Sequence, residues 1–308
     1  MKKQNFPINS QPLVINWHLT EACNYQCQYC YAKWNKDNRE LIHNQLDRTK
    51  LLKQVYQFFS PGNQENPLAK NMSWDMVRLN LAGGEPLLYP SEFLSIVKEA
   101  NSLGFLVSLI TNGSQLDRET LNLLAPYLCW IGVSLDSSFP ETNKAIGRSS
   151  REGDVLDIYQ LAQDIHEVRQ TFPTLGLKIN TVVNSLNYQE HFGDLINLFR
   201  PEKWKVLQML PLVDKGLIVS REQFQGFLER HVTHADVIYP EYNDDMTESY
   251  LMIDPYGRFY QNSQHPELGY CYSRKILNVG TEAAFSEMQF DSERFCKRYE
   301  CEQNGEAA

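Results

Sequence analysis

Several things are missing from this 308-residue chain, and each absence excludes a class of function. No run of about 18 apolar residues occurs, so no membrane-spanning helix is expected. The opening residues carry Lys2 and Lys3 but no apolar h-region and no small-residue cleavage pattern, which excludes a secretory signal. An amphipathic anchor helix is not in evidence either. Basic charge is in deficit: 29 Lys and Arg stand against 38 Asp and Glu, a net charge of −9. So acidic a chain makes a poor non-specific binder of nucleic acid, although one local basic pocket can still take a small anion. Internal repeats and low-complexity tracts are absent. What remains is 42 % hydrophobic and 22 % charged, the balance of a packed globular protein, expected in the cytoplasm and without a membrane partner.

Short apolar runs alternate with longer helix-like stretches over the first two thirds, the pattern of βα units and a parallel sheet. Six strands are predicted near 13–19, 76–82, 105–111, 130–136, 177–183 and 205–211. Helices are predicted near 44–59, 91–103, 117–125, 154–171 and 188–199. Six such units imply an α/β fold: a partial (β/α)6 parallel barrel whose chemistry gathers at the C-terminal strand ends. After about 212 the pattern loosens. A helix near 221–232 and a strand pair near 249–261, turning at Pro255-Tyr256-Gly257, suggest a C-terminal extension covering the barrel mouth. The division expected is 10–212 for the barrel and 213–308 for the extension.

Seven cysteines, an odd number, argue against a disulfide framework. Three of them, Cys23, Cys27 and Cys30, form C-x3-C-x2-C directly after the first strand. Three thiolates on one loop can converge on a single centre. A closed zinc site wants a fourth protein ligand, and His18 is too near the strand end to be one comfortably. A [4Fe–4S] cluster on three thiolates leaves one iron open. Tyr29, just before the last cysteine, can shield such a cluster from water. Cys129 lies in an apolar run and reads as core. Cys271, Cys296 and Cys301 are too widely spaced for a second cluster.

The C-x3-C-x2-C loop with its preceding aromatic resembles the radical S-adenosylmethionine (SAM) superfamily, in which the open iron is chelated by SAM. Gly83-Gly84-Glu85-Pro86 after the second strand is similar to that family's GGEP element. Asn112, Ser134 and Arg148 match positions that hold SAM in relatives. The resemblance narrows to the viperin family over nearly the whole chain. Its carriers are Asn16 to Tyr25, Lys178 to Asn184, Lys203 to Gln208, Phe227 to His231, Ser249 to Phe259 and Ile276 to Gly280.

The cationic residues point the same way independently. Lys203 and Lys205 are two apart on a strand, so they share a face about 7 Å apart; at an effective dielectric near 20 that costs about 2–3 kcal/mol. Lys178 leads a neighbouring strand, and Arg78 lies inside an apolar one. Four cations in one barrel call for an offsetting anion, and a triphosphate is suitable. Lysines at strand ends reaching solvent are the plainer alternative. The resemblance implies a ribonucleoside triphosphate substrate (CTP, UTP or GTP), with Arg78, Lys178, Lys203 and Lys205 on the phosphates and Asn16, His18 and Asn180 beside the nucleotide. For His18 a hydrogen-bonded core position is the competing reading; for Tyr256, implied near the ribose as a proton donor, it is packing beside a turn. Two positions differ from vertebrate viperins, Arg78 for Lys and Lys203 for Arg, so charge is kept while fork geometry is exchanged. Ala82 stands where they carry Ser.

The implied reaction is dehydration. A 5′-deoxyadenosyl radical takes the C4′ hydrogen, the 3′-hydroxyl leaves as water, and the product is a 3′-deoxy-3′,4′-didehydro nucleotide, a chain terminator suited to anti-phage defence. An external one-electron donor of flavodoxin or ferredoxin type is required. A peptide-modifying radical SAM maturase and a non-catalytic Fe–S nucleotide sensor are the rivals.

Overall fold

The computed structural model describes residues 12–37, 39–211, 215–262 and 269–300. Six strands follow the predicted order: β1 (Pro12–His18), β2 (Met76–Ala82), β3 (Leu106–Thr111), β4 (Trp130–Ser134), β5 (Gly176–Val183) and β6 (Lys203–Gln208). They pair in parallel, each with the next in sequence. Helices α1 (Gln45–Phe59), α2 (Pro90–Leu103), α3 (Arg118–Leu124), α4 (Pro140–Ile146), α5 (Ile158–Thr171) and α6 (Gly193–Phe199) make the returns.

Capping chemistry fixes where the helices begin. Asn44, Asp117 and Asp157 each accept a backbone N–H of the first turn of α1, α3 and α5, respectively. Asp157 explains why α5 starts at 158 rather than at the predicted 154. The helix predicted from 188 starts at 193, because Asn187 ties the preceding loop down. Its side chain accepts from Asn184 N (2.7 Å) and donates to the carbonyls of Asp136 (2.7 Å) and Val182 (2.9 Å).

The remaining elements are α7 (Arg221–Arg230), β7 (Ile238–Glu241), β8 (Leu251–Ile253), β9 (Arg258–Asn262), β10 (Tyr270–Lys275), α8 (Ile276–Val279), α9 (Thr281–Phe285) and α10 (Ser292–Glu300). The predicted hairpin is β8–β9, antiparallel, with Gly257 at φ +77° in its turn. All ten strands share one sheet, in the order β10-β9-β8-β1-β2-β3-β4-β5-β6-β7. The extension therefore joins both edges of the barrel sheet: β7 lies beside β6, and β8–β10 lie beside β1.

Strict alternation along each strand divides core from cavity. In β2, Val77, Leu79 and Leu81 pack into the helix-covered core, while Arg78, Asn80 and Ala82 face the interior cavity. Trp204 and Val206 alternate in the same way with Lys203 and Lys205 in β6. Among the described residues, no helix is long and apolar enough to cross a membrane.

Candidate active site

The loop after β1 carries Cys23, Cys27 and Cys30 and is clamped from two sides by glycines. Gly84 N donates to Thr20 O (2.6 Å) and Glu85 N to Ala22 O (2.8 Å). A Cβ at Gly84 would lie 2.2 Å from Ala22 O, so only glycine permits this approach. On the other side Gly147, at φ +90°, ends α4; a Cβ there would lie 2.2 Å from Gln26 O. Gln26 N donates to Gly147 O (3.0 Å) and Gln28 N to Ile146 O (3.0 Å). The loop's path is thus set by backbone contact with the ends of β2 and α4.

The groups expected around SAM gather at these clamps. Glu85 is fully buried, accepting from Asn112 N (2.7 Å), Thr111 Oγ1 (2.8 Å) and Leu87 N (3.0 Å). Burial pushes its carboxyl above the usual range despite these donors. The Asn112 amide donates to Asn24 Oδ1 (2.9 Å) and stands 3.8 Å from Cys23 Sγ. Arg148 reaches Asp136 (3.3 Å) and Tyr29 Oη (3.2 Å), donates to the Ser134 carbonyl and lies 3.9 Å from Cys27 Sγ. Burial alone would lower its pKa, yet Asp136, Tyr29 and Cys27 outweigh that and hold it well above its ordinary value. Tyr29 donates its phenol proton to Asp136, so it is an anchor as well as a shield. Asp136, 1 % exposed, is the residue that sequence reasoning missed here; it sits two positions beyond Ser134 in the strand-end segment that supplied the prediction.

Burial raises the pKa of all three thiols, and the field of another of the three raises each further. Such thiols ionise when a metal takes up the charge. Among the described residues no three His, Cys, Asp or Glu side chains close on one metal ion. Three thiols with flanking N–H donors suit an iron–sulfur cluster with an open position.

Below the loop, the strands enclose a cavity of about 220 Å³. Register stacks its lining in layers. Arg78 of β2, and Lys178 and Lys203, which are directly paired between β5 and β6, lie nearest the N-terminal strand ends. One level toward the cysteine loop come Asn16 and Asn80 on β1 and β2, and Asn180 and Lys205 on β5–β6; Ser108 of β3 is level with Asn80 but outside the lining. Asn80 donates to Asn16 Oδ1 (2.7 Å) and accepts from Ser108 Oγ (2.8 Å). Gly132 makes room for Asn180, whose Nδ2 would meet a Cβ there at 3.1 Å. His18, Ala82 and Ser134 close their strands at the mouth. His18 is buried, with Nδ1 2.6 Å from Tyr260 Oη; burial pulls its pKa down to about 3, leaving it neutral.

All four expected cations line this cavity, together with Arg298 from α10. Aromatic faces support them. Lys203 Nζ lies 5.5 and 5.1 Å from the rings of Trp130 and Tyr239, and the Arg298 guanidinium 3.7 Å from that of Tyr250. One expectation is corrected: the protein supplies a carboxylate of its own. Glu241 of β7 contacts Lys205 Nζ (2.5 Å) and Arg298 (3.2 Å) and accepts from Tyr250. Burial opposes its ionisation, but Lys205 and Arg298 hold its carboxyl below the usual range. Among the described residues the lining carries five cations and one carboxylate.

Tyr256 is a second correction. It is buried in the β8–β9 turn against Ala32 and Trp34, and its accessible edge faces a separate cleft with Arg39 and Glu40, not this cavity. The tyrosines on the cavity wall are Tyr31, Tyr239, Tyr250 and Tyr260. A turn aromatic has no fixed face, whereas Tyr250, Met252 and Tyr260 share one through strand parity and the Met252–Tyr260 pairing. That parity was the available signal. Cys129 is buried with its thiol 3.2 Å from Val107 O; Cys271 is exposed on β10, Cys296 lies on α10, and Cys301 falls outside the described residues.

Comparisons with known proteins agree with this geometry. A family model described as the radical SAM superfamily matches residues 17–182. A protein of Psychrobacter lutiphocae named S-adenosylmethionine-dependent nucleotide dehydratase is 41 % identical over 292 residues, spanning 95 % of this chain and 96 % of its own. One of the same name from Pseudoalteromonas ulvae is 40 % identical, spanning 94 % of each. The S-adenosylmethionine-dependent nucleotide dehydratase RSAD2 of Danio rerio is 29 % identical, spanning 93 % of this chain and 77 % of its own. Among solved structures, anSMEcpe with bound AdoMet and Kp18Cys peptide aligns at a TM-score of 0.62 over 92 % of this chain and 84 % of that one; at 15 % identity the likeness concerns the fold. On the matched motif and the end-to-end identity to these relatives, the chain belongs to the radical SAM superfamily and, within it, to the viperin family.

Proposed function

We propose that this protein dehydrates a ribonucleoside triphosphate to its 3′-deoxy-3′,4′-didehydro analogue. The observation that carries the reading is the cation-lined cavity directly beneath the cysteine loop. Cys23, Cys27 and Cys30 would hold a [4Fe–4S] cluster, with Glu85, Asn112, Ser134 and Arg148 and the backbone of Gly83 and Gly84 around SAM. When bound, cluster and SAM supply the 5′-deoxyadenosyl radical that takes the C4′ hydrogen.

The chain's own residues do the positioning. Arg78, Lys178 and Lys203 at the cavity floor, with Lys205 and Arg298, bind the triphosphate through charge-assisted contacts. Phosphates held there direct the ribose up toward the mouth, into the layer of Asn16, Asn80 and Asn180, whose amides suit sugar hydroxyls. Such clamping supplies the orientation that hydrogen abstraction from one carbon needs. Neutral His18 can pass a proton at the mouth without adding a charge. Tyr250, bridging Glu241 and Lys205 on the wall, replaces Tyr256 as the proton donor to the departing 3′-hydroxyl, and one electron then completes the didehydro product.

The experiment is anaerobic reconstitution followed by dithionite, SAM and each of ATP, CTP, GTP and UTP in turn, read by mass spectrometry. A nucleotide product 18 mass units below its parent, with 5′-deoxyadenosine formation stimulated by that nucleotide, is the expected result. Deoxyadenosine formed equally with and without every triphosphate overturns the assignment.

A further inference from the structure

The segment leaving Cys30 shows a feature that the reaction does not use. Residues 31–37 run across the protein surface beside the cysteine loop, held by backbone contacts with distant elements. Trp34 N donates to Glu21 Oε1 (2.8 Å), Asn35 N to Tyr272 Oη (3.0 Å), and Arg258 to Asn35 O (2.7 Å); Tyr270 Oη donates to Tyr31 O (2.5 Å). A loop tied down in this way presents its outward side chains in a fixed arrangement. Those side chains are Lys33, Lys36 and Arg39, three apart and all exposed. Asp37, between them, is occupied by Lys275 at 3.2 Å. Glu21 and Glu40 beside the segment are half-buried and accept from Trp34 N and Glu21 N, respectively, so its exposed charges are all positive on a protein of net charge −9, and they begin three residues after Cys30. Tyr31, 43 % exposed, lies at the start of the loop and on the cavity wall at once.

We propose that Lys33, Lys36 and Arg39 form the docking surface for an acidic one-electron carrier protein that reduces the cluster. The inference rests on the reading that Cys23, Cys27 and Cys30 hold that cluster. In the step it serves, the carrier is oxidised by one electron and the cluster is reduced by one, with no bond made or broken. Charge complementarity selects the partner: an acidic face is drawn to an isolated positive patch and repelled by the rest of this acidic surface, so encounters are steered to the side where the cluster is nearest.

The test is the triple variant Lys33→Glu, Lys36→Glu and Arg39→Glu, with Lys53→Glu, Lys70→Glu and Lys98→Glu, exposed elsewhere, as a charge-matched control. The readout is 5′-deoxyadenosine formation by reconstituted enzyme, driven either by dithionite or by reduced flavodoxin. The triple variant is expected to match the parent with dithionite and to lose about 10- to 100-fold in kcat/KM for flavodoxin. Added salt should slow the parent's flavodoxin reaction and speed the variant's, whose reversed charges repel the carrier. An unaltered flavodoxin reaction, or an equal loss with both reductants, overturns the proposal. Iron and sulfide content separates this failure from failure of the cluster reading: if the cysteine assignment is wrong, the parent itself binds neither.

Discussion

Gly84→Ala tests whether the glycine pair after β2 serves close approach. The added Cβ would lie 2.2 Å from Ala22 O and 2.7 Å from both Ala22 C and Glu21 O. All three are backbone atoms, so no side chain can rotate away. Gly84 does not have a positive φ, unlike Gly83 at +148° and Gly147 at +90°, so contact alone is at stake. Relieving the overlap requires the two chains to part by more than 1 Å, roughly, to reach ordinary carbon–oxygen contact. The hydrogen bonds of 2.6 and 2.8 Å that flank the contact cannot survive that separation. Two lost hydrogen bonds at about 1 kcal/mol each, plus overpacking of about 1–3 kcal/mol, give a destabilisation of about 3–5 kcal/mol.

Displacement of the Ala22 backbone also moves Cys23, so the defect should reach the cluster. Urea denaturation of the metal-free protein measures the first effect, and iron and sulfide per chain after reconstitution measure the second. Gly62→Ala is the control, since a Cβ there meets nothing within 4 Å. A Gly84→Ala protein with the parent's midpoint and full iron content refutes the close-approach argument; loss of SAM binding alone would mean that the glycine serves the cofactor directly.

Three further outcomes follow from the site. Asp136→Asn strips the buried Arg148 of its ionic partner and should cost about 3–5 kcal/mol in urea denaturation; a loss below about 0.5 kcal/mol contradicts the pairing. His18 titrates near 3 when folded against 6.5 when unfolded, so the unfolded chain takes up the extra proton as pH falls through that window. This group's contribution is complete above pH 6.5 and declines toward pH 3, by about 2 kcal/mol between pH 7 and 5. His18→Gln should remove that share of the acid sensitivity and leave the part due to His231, which burial lowers to about 4; equal pH sensitivity in parent and variant sinks the claim. Lys178→Met should raise KM for the triphosphate by about 10- to 100-fold, as loss of one charge-assisted contact implies; an unchanged KM removes Lys178 from the phosphate site.

What could be read from the sequence depended on whether a signal was local. The six barrel strands lie in apolar runs of the right length, and the parity of Lys203 and Lys205 sends both into the cavity whatever the rest of the chain does. The cysteine loop is legible from spacing alone. β7 was missed because Pro240 reads as a breaker; it is tolerated at the sheet's edge, where no further strand needs its N–H. With β7 went Glu241. Arg298 was missed for a related reason: it lies 57 residues from its carboxylate partner on an otherwise ordinary charged helix, and only tertiary structure brings the two together. Tyr256 is implied only by resemblance to a family tyrosine, whereas the parity of the adjoining strands points to Tyr250 and Tyr260.

Glu241 changes what the cavity's charge means. Five unopposed cations would repel one another and hold the strands apart, whereas one carboxylate shared by Lys205 and Arg298 fastens β7 and α10 onto β6. Those contacts bring an edge strand and the C-terminal helix into the cavity wall, so the extension completes the site at the point where the barrel alone stays open. The carboxylate engages only that side. Arg78, Lys178 and Lys203 lie on the floor away from it, supported on Lys203 by the faces of Trp130 and Tyr239, which attract a cation without cancelling its charge. One end of the cavity is thus tied together by a shared carboxylate, while the cations of β2, β5 and β6 line the other. Removing Glu241 would leave Lys205 and Arg298 without the carboxylate they share and should destabilise the ligand-free fold.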